Sequence, residues 1–385
     1  MAMIAPEARE TFLQTIEQLT AERHAAHPIV EALRPKLSGI WDEEIPQSWR
    51  TAGFVQELAS AASDVLESDP RESLSLAQLA LAVATSIPTG TYPTPVQAQI
   101  EGTAWKEIGT AHRYLSEYDA ALRAYDAAQR SFGSASSLAH EAAVVDFARA
   151  IILAEERHQE ALDLLTAVES QFRSFGDETR VVKVGLLRGN ICFFQGRLKE
   201  ARATYEKALE EVSLEDLHTR AMLYLNLGQT MINLGDMNKG VLMLHHARQL
   251  LTDLGMSVEV NRTEWNLARV LVANGDFAKA SSMLERARDF FLDKGIPEDA
   301  GLVGLELADV LIATGQGERA REIIVRVLAE FTNAKLNTGA LSALAYLRDV
   351  LLTTRQPQRA VRHVRQYLDD LRTEPARLFL PPPED

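Results

Sequence analysis

Nine side chains stand at set distances ahead of three glycines, and their types define the chemistry open to them. Lys183 and Asn190 lie thirteen and six residues before Gly196, and Asn226, Gln229 and Asn233 lie nine, six and two before Gly235. Arg262, Trp265, Asn266 and Arg269 lie thirteen, ten, nine and six before Gly275. On a helix these offsets fall on one stripe. Asn is a poor helix former, so four of them on one stripe need a reason that propensity does not supply. Amides donate and accept, which lets them bond the main chain of an extended peptide whatever its sequence. Lys183, Arg262 and Arg269 add a preference for carboxylates, and Trp265 offers an apolar anchor. This is the chemistry of binding. The same residues could also be simply solvated, or bridge neighbouring structural units.

Other chemistry is not supported. The sequence holds no GxxxxGK[ST], no GxGxxG after a strand, no HExxH and no paired CxxC. His24 and His27 lack a third ligand, and His245 and His246 project about 100° apart on a helix, too far to share a metal. His112 is expected in the core, and Asp42, Glu43 and Glu44 in a solvated turn. Cys192, the single cysteine, stands where other units have Ile152, Met231, Leu271, Leu311 and Leu351, so it reads as core filler. No catalytic residue, metal or cofactor is expected.

The elements that must position the nine side chains are repeats. The stretch Gly189 to Ala208 reads as a helical hairpin: a helix stops at Gly196 and another starts at Arg197. Gly189, seven before the turn, and Ala201, five after it, allow the two helices to interlock. Equivalent turns begin at Ser116, Glu156, Gly196, Gly235, Gly275, Gly315 and Arg355, at intervals of 40, 40, 39, 40, 40 and 40. A constant period of this size signals a solenoid. Gly176, Gly255 and Gly295 fall 20 residues after their turns, as stops for the second helices.

These residues resemble tetratricopeptide repeats. Trp105, Ile108, Gly109, Tyr118, Ala121, Tyr125 and Ala128 match that pattern, as do Tyr224, Leu227, Gly228, Gly235 and Ala247, and Gly275, Phe277, Ala280 and Ala287. Arg149, Arg348 and Gly240 depart from it. The resemblance implies an all-α, right-handed superhelical solenoid over residues 96–373, with seven long hairpins. It also implies that the first helix of each hairpin lines a concave groove that holds a peptide or partner segment. Long repeats of this type are similar to those of kinesin light chains, polarity adaptors and bacterial quorum-peptide receptors. In such a groove Lys106, Arg113, Tyr114, Asp146, Phe193 and Tyr346 join the nine. Glu306, Asp309 and Asp349 then give the far end the opposite sign. Alanine at Asn226 plus Asn266 is expected to weaken a ligand without lowering the melting temperature.

Residues 1–95 read as an acidic helical cap with a degenerate hairpin, and residues 374–385 as a proline-rich tail. Helices are expected over Pro6 to His24, Gln47 to Glu67 and Pro70 to Ile87, with Pro28 and Pro35 as interruptions and Ser86 to Pro95 as a loop. Leu378, Phe379 and Leu380 either fold back on the last hairpin or project as a docking peptide. The net charge of −14 argues against nucleic acid and against anionic membranes. With no apolar run of about 18 residues and no secretion signal, a cytoplasmic location is expected. The sequence therefore points to a non-catalytic scaffold or adaptor that binds a protein or peptide, including ones with acidic groups. The alternative is a peptide-sensing regulator whose superhelix changes conformation on binding and signals through a partner protein. A second copy of the chain stays open as an occupant of the groove.

Overall fold

The computed structural model describes residues 6–37, 39, 41, 43–333, 347, 350, 358–371, 377 and 379–381. Two compact units divide the chain, one of residues 1–154 with 159–176 and one of 155–158 with 177–385. Among the described residues every regular element is a helix.

Unit 1 contains α1 (Pro6–Leu33), α2 (Ala52–Val65), α3 (Pro70–Ser86), α4 (Thr94–Tyr114), α5 (Tyr118–Phe132), α6 (Ala139–Glu156) and α7 (His158–Phe175). The sequence places the end of α1 at His24, but the helix continues through Pro28 for two more turns. Proline there removes a bond to the His24 carbonyl; both residues are exposed, so water can take the orphaned oxygen. The helix expected from Gln47 instead begins at Ala52, after a 3-10 turn, because Thr51 caps it by accepting from the Phe54 amide. The loop before α4 is pinned by Tyr92, whose hydroxyl donates to Glu22 at 2.7 Å and accepts from the Ala52 amide at 3.0 Å. One core runs from Ala26 and Val30 through Phe54, Leu58, Leu76 and Val83 to Ile100, Ile108 and Ala124. The N-terminal helices thus share apolar packing with the first regular hairpin.

Unit 2 contains α8 (Glu178–Phe194), α9 (Leu198–Glu211), α10 (Leu217–Asn233), α11 (Met237–Asp253), α12 (Ser257–Ala273), α13 (Phe277–Asp293), α14 (Pro297–Ala313), α15 (Gly317–Asn333) and α16 (Gln358–Leu371). The turns follow the reading from spacing. Gly196 has φ +71°, its amide bonds the Phe193 carbonyl, and the Arg197 amide bonds that of Cys192, which satisfies two carbonyls of the last turn of α8. At the equivalent position of unit 1, Ser116 takes φ +59° without glycine's freedom.

Small residues set the spacing inside several of the hairpins. A Cβ on Gly189 would lie 2.3 Å from the Tyr205 ring, and one on Gly109 would lie 2.6 Å from the Tyr125 ring. The departure at Gly240 has a physical reason: a Cβ there would come within 2.9 Å of the Gly228 carbonyl oxygen, so α10 and α11 meet backbone to backbone. Arg149, in place of a small residue, reaches Asp146 and Asp126, each at 3.2 Å. Cys192 is buried at 4% exposure, as core filler should be, and burial pushes its thiol pKa up.

Of the two readings of the tail, the structure has the fold-back. Phe379 packs on His363 and Tyr367, and the Tyr367 hydroxyl donates to the Arg377 carbonyl at 2.7 Å. Leu378, Asp42, Tyr346, Arg348, Asp349, Leu351 and the turn at Arg355 lie outside the described residues.

Candidate functional site

Helices α10, α12 and α14, the first helices of three successive hairpins, line a cavity of about 230 Å³ in unit 2. Six of the nine expected residues meet in it: Asn226 and Gln229 from α10, and Arg262, Trp265, Asn266 and Arg269 from α12. Their convergence follows from the offsets before each turn, since a shared offset places side chains on the same side of successive first helices. Lys183 and Asn233 are exposed and do not line the cavity. Asn190 sits one hairpin back and is bonded to it: the Asn226 amide donates to Asn190 Oδ1 at 2.8 Å, and the Tyr205 hydroxyl donates to the same oxygen at 2.7 Å. Burial holds the Tyr205 phenol far above its ordinary pKa.

The charged groups are arranged otherwise than the sequence suggests. Arg262 Nε donates to Asp299 Oδ2 at 2.8 Å, and Arg269 Nε lies 3.4 Å from Glu306 Oε1. Trp265 Nε1 donates to the other oxygen of Glu306 at 2.9 Å. Both carboxylates are withdrawn from water, with Asp299 at 5% and Glu306 at 9% exposure. Glu306 is therefore not the far end of a polarised groove; it neutralises the arginine of the preceding hairpin. Asp309 is likewise close to a cation, 3.6 Å from Arg365, while burial pushes its carboxyl pKa up against the pull of Arg365 and Arg362. Arg262 and Arg269 face carboxylates of their own chain, and the cavity's charged lining holds three acids, Glu259, Asp299 and Glu306, against those two cations.

The amides divide into committed and uncommitted groups. Asn266, 7% exposed, turns its amide back to the Arg262 carbonyl at 3.0 Å. Asn226 links two hairpins, so alanine there removes a structural bond, and the expectation that Asn226 plus Asn266 can be replaced at no cost to stability is corrected. Gln229 and Asn233 make no side-chain hydrogen bond among the described residues, which leaves their donors and acceptors open.

Asp299 as a participant was missed in the sequence. A signal existed: Arg262 and Asp299 are 37 residues apart, Asn190 and Asn226 36, and Trp265 and Glu306 41. Each interval is one repeat displaced by a helical turn or less, so complementary pairs at those separations mark bonds between hairpins.

Elsewhere three histidines make contacts within the chain. His27 Nδ1 lies 2.7 Å from Glu57 Oε1, and Arg23 Nε donates to the other oxygen at 2.7 Å. Burial pushes the Glu57 carboxyl pKa up, but the bonds from Arg23 and His27 outweigh that and hold it below its usual value. His112, expected in the core, is half-buried and pairs with Glu117 at its own turn at 2.6 Å. His246 packs near the Tyr224 ring, with centroids 5.3 Å apart. Among the described residues no group of three or more His, Cys, Asp or Glu could hold a metal ion, and no helix is long and apolar enough to cross a membrane.

Comparison with known proteins agrees with this architecture. A tetratricopeptide repeat profile matches residues 186–211, which span the second half of α8, the turn and α9. No curated protein matches the chain in sequence. Among solved structures, the quorum sensor NprR in its apo form, from B. thuringiensis, is 12% identical with a TM-score of 0.53, over 90% of this chain and 99% of that one. NprR in complex with its cognate peptide NprX is 13% identical with a TM-score of 0.55, over 95% of this chain and 99% of the other. A Rap protein complexed with competence and sporulation factor is 13% identical with a TM-score of 0.53, covering 91% and 98% respectively. At such identities the likeness is one of fold.

Proposed function

Because the chain is a tetratricopeptide-type repeat protein, we propose that it works by binding, and that the α10, α12 and α14 face holds a peptide or a segment of a partner protein. The observation that carries this is the cavity itself, where the uncommitted amide of Gln229 stands beside the partly buried Trp265 ring. Gln229, with Asn233 at the exposed end of α10, bonds ligand main chain; Asn190, Asn226 and Asn266 shape the wall. Arg262 and Arg269 are held by Asp299 and Glu306, so an acidic ligand group is directed to the exposed Lys183. Proteins of this fold include one bound to its cognate peptide, which supports the reading as scaffold or adaptor. The site is proposed as non-catalytic.

One feature favours the alternative, a regulator that changes conformation and signals through a partner protein. The polar bonds Arg262 to Asp299, Trp265 to Glu306 and Asn226 to Asn190 each join neighbouring hairpins. A ligand that competes for any of them changes the stagger of the hairpins that it touches.

To test the binding reading, the tagged protein is crosslinked gently in its own host, and the parent is compared with Gln229→Ala/Asn233→Ala. Among the described residues those side chains make no hydrogen bond, so the melting temperature should stay within about 2 °C. A peptide or protein recovered with the parent and lost from the variant supports the site. Identical partners for both would remove function from this face.

A further inference from the structure

Unit 1 contains a larger cavity, of about 440 Å³, bounded by α1, α2 and α4. Its size falls in the range of small-ligand sites. Five neutral side chains converge on it: Gln56, Ser60 and Ser63 from α2, and Gln99 and Thr103 from α4. Among the described residues none of the five makes a side-chain hydrogen bond to the protein. Ser63 is exposed, but the other four are half-buried on two packed helices, where the neighbouring helix normally supplies a partner. Val55, Ala59 and Ile100 supply an aliphatic floor.

Two charged residues also line the cavity. Arg23 comes from α1 and Glu107 from α4, and α2 packs against both of those helices. Packed helices stand about 8–10 Å apart axis to axis, which sets the scale of a ligand that would reach from one charge to the other. Arg23 uses Nε on Glu57, and its two terminal nitrogens have no own-chain partner among the described residues. Glu107 is only 8% exposed and pairs with the adjacent Lys106, whose Nζ lies 2.8 Å from Oε1. Each of the two lining charges has a neighbour of opposite sign, Arg23 on Glu57 and Glu107 beside Lys106, so neither sign prevails at the rim. A ligand with net charge is not matched by a neutral rim, whereas a zwitterion with its charges about 10 Å apart is.

We propose that this cavity binds a short peptide with both termini free, about three residues long at about 3.3 Å per residue. Its carboxylate lies on the terminal nitrogens of Arg23, and its ammonium on the Glu107 oxygen not taken by Lys106. The amides and hydroxyls between them serve its main chain, each able to donate or accept. No aromatic ring lines the cavity, so a sugar or a nucleobase finds no face to stack on. The site shares no residue with the α10, α12 and α14 face, and it can fail or hold independently of the function proposed there.

The test is calorimetric titration of the full-length protein with trialanine, N-acetyl-trialanine amide and maltotriose. Saturable binding is expected for trialanine, with at least about tenfold weaker binding of the capped peptide, the loss that follows from removing charged hydrogen bonds. Glu107→Gln should weaken trialanine by a similar factor. Thr103→Val, which keeps the side chain's shape, should weaken it by a smaller factor and guards against a misfolded Glu107 variant. Gln229→Ala should leave trialanine affinity unchanged. No saturable binding of trialanine, equal binding of the capped peptide or of maltotriose, or parental affinity in both unit 1 variants would each overturn the proposal.

Discussion

Glu306 in unit 2 and Glu107 in unit 1 are almost equally withdrawn from water, at 9% and 8% exposure, yet they are held in different ways. Glu306 receives the Trp265 indole and lies beside Arg269, both from another hairpin. Glu107 has beside it the lysine next to it in sequence. Around Glu306 the polar groups of α12 and α14 satisfy one another. Around Glu107 five neutral polar side chains of α2 and α4 are left without own-chain partners among the described residues. The same fold can thus spend its inner-face polarity on joining hairpins or keep it for a ligand, and which it does is visible only from the partners.

This contrast presumes that the hairpins themselves are built alike. Gly109→Ala in unit 1 and Gly189→Ala in unit 2 each push a Cβ into a buried tyrosine ring, so each should cost about 3 kcal/mol in urea denaturation. A neutral result for one alone would show that the two hairpins are not equivalent, and the contrast would then have a packing origin.

Unit 1 also contains a committed polar group, away from the α2 and α4 stripe. Burial, countered in part by the bond from the Ala52 amide, raises the Tyr92 pKa from its ordinary 10 to about 12. A raised pKa means that the folded protein favours the neutral phenol, so its contribution is complete below pH 10 and is lost as pH rises through about 12. The loss should amount to about 2.5 kcal/mol, and Tyr92→Phe should lack that step when stability is followed against pH.

The central contrast is tested by matched substitutions. Glu306→Gln should destabilise by about 2 kcal/mol, below the usual cost of breaking a buried pair because Arg269 is partly solvated. Glu107→Gln should change stability by less than about 0.5 kcal/mol. Equal losses at the two sites would mean that Glu107 has a structural partner and that unit 1 is not poised for a ligand.

The smallest effect concerns the amide bridge. Asn226→Ala should cost about 1 kcal/mol and Asn190→Ala somewhat more, because it also strips the buried Tyr205 hydroxyl of its acceptor; the double variant should cost less than their sum, since both remove the bond between the amides. Additive losses would show that the two amides act separately.

Much of this architecture was legible in the sequence. The turn spacing located the hairpins, and Gly189 with Ala201 identified where their helices touch. Six of the nine expected residues share one cavity because equal offsets before successive turns place side chains on a common side. Arg262, Arg269 and Glu306 were misread, as open cations and as a distant anion, because their pairing depends on neighbours 37 residues away. Arg23 and Glu107 attracted no attention as a pair, since nothing in their spacing brings α1 and α4 to one cavity.

The sequence by itself determined the repeat, the turns and the interior positions, for these rest on local rules: helical periodicity, the positive φ that glycine allows, and the small residues that permit close approach. Only the tertiary structure decided which polar groups answer one another. Neighbouring first helices are offset by a helical turn or less, an amount set by how their side chains interlock, and that offset determines whether a carboxylate meets an arginine, an amide or open space.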